Sequence, residues 1–527
     1  SIFVFPSWAY VLSQDYMLRG PRPFSTGSCR ANCRRWHSNQ QRLAPLMATK
    51  TAAAKQDVGL TLTMSDALAL SERIRQLKDC LPGLKSDSVG VQRMPGDVGE
   101  RVALVAARDI REREVVMTIP EKLAVTSVDA ETHDVVGPLA AECSELTALT
   151  LWLVAERARG AASAYAGLLS TFPEATLSPL LWEDTELMEL LAGSPVLAEA
   201  RVRRDAMRQQ WSALEPRLRA DPNRFSSDIF SERAFYRAFS VVVAHACFLP
   251  SANCFALLPL ASSMGRTGNN NGCDLDFDGQ TNAVVVTAAR PYRSGSELLL
   301  NDGRPNGELL LATGGLQEGN TSDFLDWPAG LLPADKYFML KSQVLETLGF
   351  GQRENFPVYA DRMPIQLLAY LRLSRLADPA LLAKVSFEKD VELSQMNEYE
   401  ILQILMGDCR ERLAAYSKSY EEDVKIAQDP DLSPKERLAV KLRLGEKRII
   451  NATMEAVRRR LAPIRGIPTK SGALQDPNSD LKEIFDTIEN LPKAPLRLLE
   501  GFVSWARGEQ DPDWGKKPGQ GRGQVRK

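Results

Sequence analysis

The sequence has few of the residues that build metal sites and disulfide-stabilised folds. Its 527 residues include only three histidines, and its eight cysteines form no Cys-x-x-Cys pair. A structural zinc site needs about four closely spaced Cys, His or carboxylate ligands. We therefore predict no metal site and reduced thiols, as expected for an intracellular protein.

Long apolar runs and a strong net charge are also missing. No uninterrupted apolar segment approaches the roughly 18 residues of a membrane span. The net charge of -2 provides no overall attraction to nucleic acid or to anionic membranes. We predict a soluble protein with no membrane association and no specific nucleic-acid binding. A chain of this length exceeds one hydrophobic core, so two or three domains are expected.

The two ends of the chain lack the composition of a folded domain. The first 50 residues contain one acidic residue, Asp15, and seven basic residues among many Ser and Ala. This composition is typical of an organelle transit peptide, which we predict at residues 1–55. The alternative is untranslated sequence fused in frame, with Met17 or Met47 as the true start. The Gly-rich basic segment 511–527 is predicted to be a disordered tail, with RNA or an acidic partner as the alternative to solvent.

Short runs of β-branched and apolar residues predict strands in two separate regions of the chain. A β-hairpin is predicted over Val102–Ile119, with a charged turn in its middle. Asp274 to Gly279 resembles the start of an EF-hand calcium loop, but its twelfth position holds Val285, so a hairpin turn is predicted instead. The other predicted strands are Phe255–Leu260, Ala283–Thr287 and Leu298–Leu300.

Helical periodicity dominates the remaining sequence. Ser178 and Ser194 each precede a proline and are predicted helix starts. The clearest helix runs from Ser433 to Leu461, with Glu436 completing a capping box. This order of elements differs from the strand–helix alternation of a doubly wound sheet. The other predicted helices are Ser65–Leu77, Phe235–Phe248, Ala334–Leu348, Pro364–Leu376, Ser394–Tyr416 and short final helices containing Leu496, Leu499 and Trp505.

Several short segments between Gly90 and Leu461 occur in an order and spacing that are specific as a set. They are Leu180-Leu-Trp182, the Gly193–Pro195 turn, the Phe255–Leu260 strand, the Arg290–Glu297 turn and the Pro305–Leu311 helix. Together they resemble the Rubisco large-subunit lysine methyltransferase family. The resemblance implies an α+β fold, with a SET-type β-rich core at 65–326. A helical insertion at about 140–235 would split that core, and an all-α substrate-binding domain would follow at 327–510.

The resemblance implies a protein-lysine N-methyltransferase that uses S-adenosylmethionine and acts on a chloroplast protein. Such an enzyme must hold the lysine amine neutral, although its solution pKa is about 10.4. A narrow, dry channel disfavours the ammonium form, and alignment with the methyl group supplies much of the rate. The helical C-terminal domain would dock the protein substrate or partner.

The resemblance also assigns site positions, at which this chain carries different residues. The family's hairpin glycine aligns with Ala103, and its Asn-His pair at the cofactor aligns with Gly265 and Arg266. The arginine of a Ser-Arg pair at the cofactor's carboxylate aligns with His245. The tyrosine that supplies a hydroxyl beside the methyl group aligns with Thr313. From the residues alone, His245 on its apolar helix is predicted to be a packed core histidine.

Two further segments differ from the family pattern, and three hypotheses about the function stay open. The family's Asn-Tyr-Gly triplet appears as Asn301-Asp302-Gly303, and the loop Asn269-Asn270-Asn271 is either a flexible polar loop or a partial replacement for the Asn-His pair. The first hypothesis is an active methyltransferase. The second is a catalytically silent SET fold that serves as a protein-binding module. The third is a helical scaffold protein without a tie to the family.

Overall fold

The chain folds into two compact units in a computed structural model that describes residues 64–96, 99–269 and 271–464. Within the described residues, unit 1 combines the chain up to Asp323 with Ser417–Leu444, and unit 2 combines Phe324–Tyr416 with residues 445–464. The predicted leader, the predicted tail and the predicted final helices lie outside the described residues.

Unit 1 contains a β-rich core. A five-stranded sheet has the order β3-β9-β8-β10-β7, a three-stranded sheet has the order β4-β6-β5, and β1 pairs with β2. Strand β10 runs parallel to β7 and β8, whereas the other pairs are antiparallel. The strands are β1 (Val89–Gly96), β2 (Gly99–Ala106), β3 (Val115–Pro120), β4 (Val125–Thr126), β5 (Cys247–Leu249), β6 (Cys254–Leu257), β7 (Gly265–Thr267), β8 (Cys273–Asp278), β9 (Ala283–Ala288) and β10 (Leu299–Asn301).

The hairpin predicted over Val102–Ile119 is wrong in its pairing. Strand β2 pairs with β1, and β3 pairs with β9. The charged segment between them does not close a hairpin: the Glu114 amide donates to the Arg111 carbonyl in a local turn at 3.2 Å, but other amides of the segment bond to distant residues. The amides of Ile110 and Arg113 donate to the carbonyls of Tyr292 and Ala288, each at 2.8 Å. By contrast, the predicted hairpin turn after Asp278 does connect β8 to β9.

Helices fill the region between β4 and β5, as the sequence predicted. Of the two predicted helix starts, Ser194 is confirmed, because its Oγ accepts from the Val196 amide at 3.1 Å at the start of the helix Pro195–Ala220. Ser178 Oγ accepts from the Leu180 amide at 3.2 Å, but it begins only a three-residue 3₁₀ turn, Pro179–Leu181. A separate core of buried residues around Trp152 supports this insertion. Among the described residues, the α-helices of this part are α1 (Met64–Cys80), α2 (Ser127–Glu131), α3 (Gly137–Ala140), α4 (Glu145–Arg159), α5 (Ala166–Leu169), α6 (Asp184–Leu190), α7 (Pro195–Ala220), α8 (Glu232–His245) and α9 (Asn306–Thr313).

Unit 2 is mainly helical, and it also contains two strands that the sequence analysis missed. Strands β11 (Phe324–Gly330) and β12 (Arg353–Tyr359) form an antiparallel pair. Each strand contains a proline, and proline within a segment disfavours its prediction as a regular strand. The helices of unit 2 are α10 (Phe338–Thr347), α11 (Ile365–Ser374) and α12 (Gln395–Ala415).

The last described helices include the capping box that the sequence predicted. Helix α13 (Tyr420–Ile426) belongs to unit 1, and α14 (Pro434–Leu461) contributes its first part to unit 1 and its second part to unit 2. Ser433 Oγ accepts from the Glu436 amide at 3.3 Å, and the Ser433 amide donates to the Glu436 carboxylate at 2.9 Å. Within the described ranges, none of the helices has both the length and the apolar content that a membrane crossing requires.

Candidate active site

A cavity of about 780 Å³ lies within unit 1. Phe248 and Phe255 form an aromatic part of its wall, with ring centroids 5.1 Å apart. Three arginines, Arg203, Arg266 and Arg304, also line it. The cavity therefore combines apolar surface with fixed positive charge.

Strand register explains how residues distant in sequence meet at this cavity. Leu300 in β10 is opposite Arg266 in β7 on one side and Cys273 in β8 on the other. Side chains in register on neighbouring strands project from the same face of a sheet. Accordingly, all three residues line the cavity, and the segment from Asn301 to Arg304 continues its wall beyond the strand.

A tight turn between β6 and β7 positions the first of the predicted site segments. Leu260 has a left-handed backbone, with φ of 63°, which is costly for a branched residue. Ser262 stabilises the turn, because its Oγ accepts from the Leu258 amide at 2.8 Å and its amide donates to the Leu258 carbonyl at 3.0 Å. The Ser262 carbonyl lies 2.7 Å from His245 Nδ1 and fixes that imidazole.

His245 is a packed histidine, as the residues alone predicted. Its ring packs against Phe172, with centroids 5.0 Å apart. Burial is the main cause that lowers the pKa of His245 to about 4, and the nearby positive charges of Arg266 and Arg157 contribute to this value, against the opposing effect of the hydrogen bond to Ser262. The side chain is therefore neutral at physiological pH, and it does not supply positive charge to the cavity.

An ion-pair network follows β10. Arg304 donates both Nε and Nη2 to the two carboxylate oxygens of Asp302, the second bond at 2.6 Å. Burial raises the pKa of Asp302, but Arg304 and Arg266 outweigh it and hold the pKa below its ordinary value. Asp302 therefore carries a negative charge that Arg304 already pairs in bidentate geometry.

Arg203 brings the helical insertion to the same cavity. Its guanidinium donates to both carboxylate oxygens of Glu308 in α9, at 2.9 and 2.6 Å, and its Nε donates to Glu199 at 2.7 Å. Arg203 is 5% exposed and Glu308 is 11% exposed. The paired carboxylates raise the pKa of Arg203 despite its burial. Its charge is thus fully engaged by protein partners.

Of the site positions assigned by resemblance, only Arg266 lines the cavity. Gly265 precedes it in β7, where a Cβ would lie 2.7 Å from Leu299 Cδ2, so a larger residue there would displace the end of that side chain. Ala103 is buried in β2 opposite Gln92. The roles of these positions at a cofactor stay predictions.

Thr313 lies at the end of α9, and its hydroxyl is engaged by the backbone. Its Oγ1 donates to the Leu309 carbonyl at 2.7 Å and accepts from the Gly315 amide at 3.1 Å. Among the described residues that line the cavity, the only hydroxyl is that of Ser322, which donates to the Gly268 carbonyl. The catalytic role of Thr313 stays a prediction, and it would require exchange of a backbone hydrogen bond.

The resemblance aligned an arginine with His245 and a histidine with Arg266. In this chain the two residue types are exchanged, and the two side chains lie close enough for the charge of Arg266 to act on the pKa of His245. The exchange was visible in the sequence, but the proximity was not. Sequence reasoning missed Arg203 and Glu308, because no local pattern marks a pair 105 positions apart. It also missed Arg304, although its partner Asp302 is only two positions away.

The described residues bring no three His, Cys, Asp or Glu side chains together as a metal ion would need. The polar groups at the cavity are instead arginines, carboxylates, the hydroxyl of Ser322 and the side-chain amide of Asn301, which donates to Asp274 at 2.7 Å. Such a set suits an organic ligand that carries charges of both signs.

Fold and site together define a SET-fold protein with a helical C-terminal domain. Residues 332–450 match the family described as Rubisco LSMT substrate-binding. A crystal structure of the SET domain of LSMT bound to lysine and AdoHcy has a TM-score of 0.60 at 20% identity, covering 80% of this chain and 99% of the other. A structure of Rubisco LSMT bound to AdoMet has a TM-score of 0.59 at 20% identity, covering 82% and 99%. The α+β fold class predicted from the sequence is confirmed.

The resemblance to the Rubisco large-subunit methyltransferases is confirmed as well, and curated relatives extend it. The chloroplastic [fructose-bisphosphate aldolase]-lysine N-methyltransferase of Arabidopsis thaliana is 25% identical, over 68% of this chain and 77% of the relative. The chloroplastic Rubisco large subunit N-methyltransferase of Nicotiana tabacum is 23% identical, over 72% and 80%. The actin-histidine N-methyltransferase of Danio rerio is 27% identical over 67% of this chain, which spans only 62% of that protein.

Proposed function

We propose that this chain transfers a methyl group from S-adenosylmethionine to a lysine side chain of a chloroplast protein. The cavity of unit 1 carries the proposal. Its volume of about 780 Å³ lies within the roughly 300–1,000 Å³ of small-molecule sites. Its arginines, carboxylates and aromatic wall match the charges and the apolar parts of S-adenosylmethionine, so the residues present fit this cofactor.

The relatives support both the reaction and its location. Two of them are named as chloroplastic N-methyltransferases, one acting on aldolase and one on the Rubisco large subunit. The match of residues 332–450 to a substrate-binding family supports a folded protein as the acceptor. The Arg-rich, acid-poor first 50 residues support delivery to an organelle, and the chloroplastic relatives favour a plastid as that organelle.

The residues of the cavity suit methyl transfer in three ways. S-adenosylmethionine, when bound, supplies an electrophilic methyl group on a sulfonium. Arg266 would hold an anionic group, and Asp274 would favour a cationic or hydroxyl group. The apolar wall around Phe248 would exclude water and thereby favour the neutral form of a lysine amine. Positioning of the reacting groups within the cavity would supply much of the rate.

A catalytically silent binding module is the second candidate. One observation favours it: the hydroxyl of Thr313, at the position of the family's tyrosine, is engaged by the backbone. In that case the helical domain would dock a protein, and the cavity would bind no methyl donor. The two candidates share a fold, so a measurement of cofactor binding must separate them.

Calorimetric titration with S-adenosylmethionine separates the candidates. We expect the intact chain to bind the cofactor in the micromolar to millimolar range typical of enzyme ligands. Ala246→Trp, which fills the cavity from the end of α8, should abolish this binding. Ala161→Trp, at an exposed position, is the matched control and should bind as the wild type does.

Transfer of radiolabelled methyl to a plastid extract completes the experiment. Labelled lysine in a single plastid protein, absent with Ala246→Trp, would support the proposal. No cofactor binding by the wild-type chain at millimolar concentration would refute the enzyme and leave the binding module. Binding without transfer to any plastid protein would refute the proposed acceptor.

A further inference from the structure

Arg266 differs from the other two arginines of the cavity in its partners. Arg203 is bonded to two glutamates, and Arg304 is bonded to both oxygens of Asp302. Arg266 has weaker contacts. Its Nε lies 4.0 Å from an Asp302 oxygen, beyond hydrogen-bond distance, and its Nη2 lies 3.6 Å from the Cys247 sulfur.

The side chain of Arg266 is nevertheless held inside the protein. It is 16% exposed, and the Asp302 carboxylate near it is 5% exposed. A guanidinium presents five N–H donors and stays charged at all physiological pH values. A thiol is a weak acceptor, and Asp302 is already engaged by Arg304. Burying a cation with so few acceptors is costly unless an anion completes its shell.

The other charged groups around the cavity do not satisfy Arg266. His245 lies near enough for the charge of Arg266 to act on its pKa. Its imidazole is neutral, so it supplies no negative charge that could pair with Arg266. Asp274 accepts from Asn301, and Asp276 accepts from the amide and the hydroxyl of Ser251, at 2.9 and 2.7 Å. The geometry leaves the face of Arg266 on the cavity open to an anionic group of a ligand.

We propose that Arg266 is a positioning residue that binds the α-carboxylate of the methyl donor. This inference rests on the proposed function, which supplies a ligand with an amino-acid end. The carboxylate is the anionic group of S-adenosylmethionine, and it matches the planar fork of a guanidinium in bidentate geometry. Arg266 would thereby orient the donor within the cavity from its amino-acid end.

The test compares two donors that differ in this one group. Wild-type chain and Arg266→Gln are titrated with S-adenosylmethionine and with decarboxylated S-adenosylmethionine. We expect Arg266→Gln to weaken binding of the first by on the order of tenfold to a hundredfold, as for hydrogen bonds between charged groups. Binding of the decarboxylated donor should change less than about twofold, as expected when a double-mutant cycle isolates one contact.

Two control variants separate a binding role from a structural one. Arg219→Gln removes an exposed arginine of α7 and should leave both affinities unchanged. Arg266→Lys keeps the charge without the fork and should restore part of the affinity for the carboxylated donor. All variants should unfold at nearly the wild-type temperature, because Asp302 keeps its bidentate partner Arg304.

Each other outcome overturns the inference in a recognisable way. If Arg266→Gln weakens both donors equally, the arginine maintains the cavity and does not bind the carboxylate. If neither affinity changes, Arg266 does not contact the donor. If the wild-type chain does not bind S-adenosylmethionine, the proposed function fails and this inference fails with it. In the first two cases the proposed function stands.

Discussion

The buried pair between Arg203 and Glu308 should contribute strongly to the stability of unit 1. It joins helix α7 of the insertion to helix α9 after the last core strand, through bonds of 2.9 and 2.6 Å. Replacing Arg203 with Met preserves the length and the apolar stem of the side chain. It leaves the carboxylate of Glu308, which is 11% exposed, without its cation.

The size of the effect follows from burial. Removing one partner of a buried ion pair costs about 3–5 kcal/mol, because the remaining charge is left desolvated and unpaired. A second pair on the same helix has the same bidentate geometry at the surface, since Arg217 bonds Glu142 at 3.0 and 2.9 Å with exposures of 42% and 65%. Breaking that pair should cost less than about 1 kcal/mol.

Urea unfolding followed by far-ultraviolet circular dichroism measures both effects. Arg203→Met should lower the free energy of unfolding by about 3 kcal/mol or more, and Arg217→Met should serve as the matched control. Adding Glu308→Gln to Arg203→Met removes the stranded charge and should recover much of the loss. Equal losses from Arg203→Met and Arg217→Met, or no recovery in the double variant, would refute the reasoning.

Two further predictions concern a buried carboxyl and a constrained glycine. Burial raises the pKa of Asp408 to about 6, although Trp327 donates to it at 3.1 Å. The folded state therefore binds a proton more tightly than the unfolded one, and stability should fall as pH rises from about 4 to about 6. Asp408→Asn should remove this decline and raise the free energy of unfolding at pH 7 by on the order of 2 kcal/mol relative to the wild type. Urea unfolding at about pH 4 and at pH 7 measures this; an unchanged dependence of the free energy of unfolding on pH would contradict the assignment. Gly314 has φ of 72°, and a Cβ there would lie 2.5 Å from the Leu177 carbonyl carbon. Gly314→Ala should therefore lower the free energy of unfolding by more than about 2 kcal/mol. Thermal unfolding of this variant at the wild-type temperature would disprove this packing.

Local features of the fold were readable in the sequence because they depend on neighbouring residues. The capping box at Ser433 and Glu436 and the serine starts at Ser178 and Ser194 each involve contacts within three positions. Side chains so close in sequence meet whatever the rest of the chain does. The overall order of elements was likewise readable, which is why the SET-type class was predicted before its geometry was known.

Strand pairing was less accessible to sequence reasoning. The sequence suggested that β2 and β3 form a hairpin, since a charged turn separates them. In the structure the amides of Ile110 and Arg113 bond to the Tyr292 and Ala288 carbonyls, so each strand finds another partner. The two strands of unit 2 were missed because their prolines disfavour a regular sheet. Both errors arise from contacts between residues that are far apart in the chain.

For this protein, the sequence by itself determined the family resemblance, the caps of the helices and the exchange of residue types at His245 and Arg266. Only the tertiary structure decided which of these residues face the cavity. The register of β7, β10 and β8 places Arg266 on its wall, and the pairing of Arg304 with Asp302 leaves Arg266 with few acceptors. The physical reason is that the chemical identity of a side chain is local, whereas its burial, its partners and its unpaired hydrogen-bond donors depend on segments that meet only on folding.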